Sequence, residues 1–66
     1  MSTVGEDFPL EQARVREILG YYKEAGPAGS FAALDIEQTL LRADKAAMSG
    51  DVTAILRSYC ELKEIE

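Results

Sequence analysis

The chain has 66 residues, twelve of them acidic and seven basic, for a formal net charge of −5, with a single cysteine and no histidine. A domain this short buries only about 60% of the surface its unfolded form exposes, yet an intramolecular disulfide is excluded and a zinc site would have to rest on carboxylates. An acidic balance opposes binding to a phosphate backbone, which draws its affinity from released counterions, and no apolar run approaches the ~20 residues that cross a bilayer.

Residues 1 to 7, MSTVGED, are small and acidic without periodicity and are expected as a flexible tail, leaving 8 to 66 as one helical domain. At DFPLEQ, Pro9 suits a first helical turn and Asp7 is placed to cap it, so helix one is expected from about Pro9 to Ala25. Val15, Ile18, Leu19 and Tyr22 follow the i, i+3, i+4, i+7 spacing of one apolar stripe. Tyr21 falls beside that stripe, so the tyrosine pair reads as core and rim packing, with a ligand contact as the alternative.

Gly26 and Pro27 are expected to end helix one, the glycine by a left-handed conformation and the proline by its missing N–H. Gly29 then supplies a flexible residue and Ser30 a hydroxyl cap for helix two, which extends to about Ser49. At 100° per residue, Ala32, Ile36, Thr39, Leu40, Ala43 and Ala47 gather on one face of it. Leu34, Leu41 and Met48 form a second apolar line, repeated every seven residues on a different side.

Gly50 follows the end of helix two, and Asp51 caps helix three, whose stripe is Val52, Ile55, Leu56, Tyr59 and Leu62. Its C-terminal KEIE is expected to fray. The tight junction makes helices two and three a hairpin with helix one folded across it, an all-α three-helix arrangement. In a closed bundle the Leu34, Leu41, Met48 line completes the core. In an open one it remains for another chain, and the reading preferred here is a dimer through helix two or along its edge with helix three.

Catalytic patterns are absent. GPAG has no preceding strand and no following lysine, so neither a phosphate loop nor a dinucleotide fingerprint fits. Asp35, Glu37 and Asp44 lack the Glu and His spacing of a di-metal bundle and read as a solvated flank interleaved with Arg42 and Lys45. Cys60 has no histidine to activate it and has Glu61 and Glu64 nearby, so it reads as a small, partly buried helix side chain. No catalytic residue, metal ligand or cofactor site is assigned, and a non-enzymatic protein is expected.

The segments YKEAGPAG, IEQTL, ADKAAMSGDV and LRSYCELK resemble a family of small uncharacterised proteins encoded by tailed bacteriophages and prophages of proteobacteria, and the likeness spans nearly the whole chain. The resemblance implies a phage-borne context and carries no catalytic residues with it.

Two functions follow as expectations. The first is a helical adaptor or inhibitor that binds a host or phage protein, with Leu34, Leu41 and Met48 as anchors and Glu37 and Asp44 steering the approach. The second is a small-ligand or nucleotide-sequestering protein with a pocket at a dimer interface near GPAG, which Tyr21, Tyr22, Lys23 and Ser30 would line. Scattered basic residues argue against a nucleic-acid partner. The N-terminus MSTVGEDFPLEQ has no signal-peptide pattern, so a cytoplasmic location without membrane attachment is expected.

Overall fold

The computed structural model describes residues 3–66. Among them are three α-helices, α1 (Val4–Glu24), α2 (Ser30–Ser49) and α3 (Val52–Lys63), a 3-10 turn over Gly26–Gly29, and no strand. The all-α arrangement expected from the sequence is the one found: α2 and α3 follow each other as a hairpin, and α1 packs against both.

Helix α1 begins five residues before the expected Pro9. Thr3, in an extended conformation, is the cap in place of Asp7. Its hydroxyl accepts the Glu6 N–H at 3.2 Å and its carbonyl accepts the N–H groups of Glu6 and Asp7. Residues 4–7, expected in the tail, are therefore helical, while residues 1–2 lie outside the described part. The earlier start puts Val4 and Phe8 on the stripe of Val15 and Leu19, and Phe8 is buried. Pro9 removes one helical bond, the one to the Gly5 carbonyl, and its ring crowds that carbonyl, at about 3 kcal/mol; against this stand the burial of Phe8 and the partial burial of Val4, at about 1.5–3 kcal/mol for a fully buried large side chain.

GPAG is a close-packed corner. Gly26 has φ 71°, the left-handed value expected of it. Gly29 has a different role: a Cβ there would lie 2.4 Å from the Tyr22 carbonyl oxygen and 3.2 Å from the Ala25 Cβ. The corner folds back onto the last turn of α1, and only a residue without a side chain fits. The expected Ser30 cap is not formed. Gly29 occupies the cap position without a side-chain bond, and the Ser30 hydroxyl donates backward to the Pro27 carbonyl at 3.0 Å. The 3-10 turn already carries the chain into the helix, so no hydroxyl is needed at the cap.

The buried strip of α2 is Ala33, Ile36, Thr39, Leu40, Ala43 and Ala46. It differs from the expected face at both ends, since Ala32 is half-buried and Ala47 is exposed. Ala33 and Ala46 lie on opposite sides of the Ile36 direction, so the strip winds around the helix as two neighbours on different sides cover it. Thr39 is satisfied within this interior by donating to the Asp35 carbonyl at 3.1 Å.

Gly50 has φ 71° and ends α2, and the Asp51 carboxylate caps α3 by accepting the N–H groups of Thr53 and Ala54 at 3.0 and 3.3 Å. The expected stripe of α3 is only partly inward. Leu62 is completely buried and Ile55 and Tyr59 pack on the core, but Val52 is 68% and Leu56 45% exposed. Ser58 is buried instead, and together with Ala54 it borders a groove whose other wall includes Ala46. Small side chains on both helices let the axes approach, and that rotation turns Val52 and Leu56 outward.

Helix α3 ends at Lys63, within the KEIE segment expected to fray, and the residues beyond it are tied back to α1. Arg14 on α1 donates from Nη2 to the Leu62 carbonyl at 2.9 Å and from Nη1 to the Ile65 carbonyl at 2.8 Å, and Ile65 packs on the core. Lys63 lies over the Tyr59 ring, its Nζ 5.3 Å from the centroid. No helix of the described residues is long and apolar enough to cross a membrane.

Candidate functional site

With the core assigned, four of the eight exposed large apolar side chains among the described residues lie on α2. Leu34 is 56%, Leu41 50% and Met48 89% exposed, so the second apolar line of α2 faces outward. Phe31, one turn before Leu34, is 88% exposed. The sequence reading overlooked it, although the signal is present: Phe31, Leu34, Gln38, Leu41, Lys45 and Met48 alternate steps of three and four, the spacing of a helix that packs along a partner. The strip spans eighteen residues, about 25 Å of helix.

Glu37 and Asp44, expected to steer an approaching partner, are engaged by α1. Arg16 donates to both oxygens of Asp44 at 2.9 and 3.1 Å, and Gln12 donates to Oδ1 at 2.9 Å. Lys23 pairs with Glu37 at 3.4 Å. These pairs run along the seam between α1 and α2 and neutralise the acids that border the apolar line. On the other border Arg42 pairs with Glu61 on α3 at 3.0 Å and donates to the Thr39 hydroxyl at 3.1 Å. Among the described residues, Asp35 and Lys45 are in none of the ion pairs.

The ligand residues expected near GPAG are divided. Lys23 and Ser30 do border a hollow of about 460 Å³, together with Gly26, Pro27, Phe31 and Leu34. Tyr22 is not there, because it packs into the core, and Tyr21 points elsewhere, its hydroxyl 3.3 Å from a Glu17 oxygen. A cation that would receive an anionic ligand is already opposite Glu37. The lining is mainly Pro27, Phe31, Ala33 and Leu34, which suits an apolar guest better than a charged one.

A second hollow, about 400 Å³, lies between α2 and α3 among Arg42, Lys45, Arg57, Ser49, Ser58 and Glu61. Its charges are of both signs. Among the described residues no three cysteine or carboxylate side chains come together as metal ligands would. Cys60, expected to be partly buried, is exposed on α3.

No protein-family model, curated protein or solved structure matches this chain.

Proposed function

We propose that this chain is a small non-enzymatic accessory protein of a phage or prophage, cytoplasmic, which acts by binding another protein as an adaptor or inhibitor through the outer face of α2. The observation that carries the reading is the outward line of Leu34, Leu41 and Met48, extended by Phe31. Apolar side chains at successive turns supply the anchors of helix-on-helix recognition. Removing them from water contributes roughly 25 cal/mol per Å², while the neutralised border of Glu37 and Asp44 spares a partner the cost of burying free charge.

Capture of partners from a lysogenic proteobacterial lysate tests this, with wild-type chain and Leu41→Asp as paired baits. Leu41 is half exposed, so the variant keeps the fold, which circular dichroism checks. Loss of a captured protein with the variant supports the reading. Identical captures on both baits, each at wild-type strength, contradict it.

The hollow at Lys23 and Ser30 supports a second reading, a binder of small molecules. Thermal shift measurements with nucleotides, cyclic dinucleotides and small apolar compounds separate the two, because a ligand at 100 times its Kd stabilises the native state by about 2.7 kcal/mol. A rise in melting temperature that Ser30→Trp abolishes would favour the ligand.

A further inference from the structure

We infer that the protein on the outer face of α2 is a second copy of this chain, packed antiparallel so that Met48 of each copy enters the hollow beside GPAG of the other. The inference rests on reading that face as a docking surface and names its occupant.

Shape supplies the first argument. Ser30, Phe31 and Leu34 of the first turns of α2 and Pro27 of the 3-10 turn before it border one hollow, as side chains surround a knob in helix packing. Met48 is the most exposed large apolar side chain of the described residues and lies at the other end of the same strip. A two-fold axis across the middle of α2 brings knob and hollow together twice. The same register sets Leu34 of one copy level with the methylenes of Lys45 of the other, and Gln38 level with Leu41. It uses every member of the strip, as a self-complementary interface must.

Charge supplies the second argument and selects the direction. Lys45 lies in the strip and Asp35 on its α3 side, and neither has an ion-pair partner in its own chain among the described residues. Antiparallel packing brings Lys45 and Arg42 of one copy toward Asp35 of the other. Parallel packing sets Lys45 against Lys45 along the middle of the strip. On the opposite border, acids of the two copies approach each other, but Arg16 and Lys23 already neutralise them.

Light scattering on the wild-type chain from about 10 μM to about 1 mM covers the range in which a small interface dissociates. The expected result is twice the chain mass at the upper end and a single chain for Leu41→Asp. At low salt, Lys45→Asp weakens the dimer about tenfold, and adding Asp35→Lys to it restores the affinity. Direction is read by oxidation in a Cys60→Ser background. A Phe31→Cys chain mixed with a Met48→Cys chain gives a covalent dimer, whereas Met48→Cys alone does not, since its two thiols lie about 25 Å apart. Cross-linking of Met48→Cys alone would overturn the inference. So would a single-chain mass at every concentration: if Leu41→Asp nevertheless loses a captured protein, only the identity of the occupant is wrong, and if it loses nothing the docking face falls as well.

Discussion

The guanidinium of Arg14, near the middle of α1, donates to the Leu62 carbonyl at 2.9 Å, so a side chain of the first helix caps the last one. A second bond reaches Ile65 at 2.8 Å, and Nε donates to Glu11 at 2.8 Å. The carbonyls at a helix C-terminus lack intrahelical partners, and a cation there also meets the negative end of the dipole. Arg14→Ala is therefore expected to destabilise the fold by about 2 kcal/mol. Urea denaturation measures the loss, and hydrogen exchange should show the last turn of α3 opening first. Arg14→Lys should recover only part, because an ammonium cannot span both carbonyls as a planar fork does.

Two glycines of the GPAG corner should respond differently to alanine. At Gly26 there is open space for a Cβ, so Gly26→Ala costs only the left-handed backbone, about 1 kcal/mol. At Gly29 the new Cβ would meet the Tyr22 carbonyl oxygen at 2.4 Å. The corner must then move away from α1, at about 1–3 kcal/mol. Equal melting shifts for the two variants would contradict this assignment.

Asp51→Ala removes the acceptor for the Thr53 and Ala54 N–H groups. The expected loss is about 1 kcal/mol, or roughly 4–8 °C in Tm for a domain of this size. Asp51→Ser should retain most of the stability, since a hydroxyl caps nearly as well.

Leu40 and Leu41 are neighbours with opposite fates. Leu40 is 5% exposed within the core, so Leu40→Ala should cost about 2–5 kcal/mol and threaten folding. Leu41→Ala should change the stability of an isolated protomer by less than about 1 kcal/mol while weakening association. Thermal melts at low concentration, compared with light scattering at high concentration, separate the two effects.

The Arg16–Asp44 pair is 53% and 40% exposed at its side chains. Solvent screening limits it, and Asp44→Ala should cost no more than about 1 kcal/mol even with the Gln12 bond lost. A near-unchanged melt, insensitive to salt between wild type and variant, is the expected result.

Apolar periodicity and breakers were enough to read three helices, the left-handed glycine at 26, the end of helix two before Gly50, the Asp51 cap and the separate line of Leu34, Leu41 and Met48. These depend on interactions within about four residues, which spacing along the chain records directly. The start of α1 was misread because Pro9 outranked Thr3 as a local signal, while the burial of Val4 and Phe8 that favours the longer helix depends on distant neighbours. Ser30 was misread for the same kind of reason, since the turn before it decides whether a cap is needed.

Tertiary structure alone decided which flank of each amphipathic helix is covered. Helical spacing defines a stripe to within about one residue either way, and the approach of neighbouring axes at Ala46, Ala54 and Ser58 sets the rotation that exposes Val52 and Leu56. It likewise decided that Arg14 closes α3 and that Glu37 and Asp44 of α2 pair with Lys23 and Arg16 of α1. Each of these joins residues on different helices, or depends on what a different helix leaves uncovered, and one-dimensional spacing carries no record of that distance.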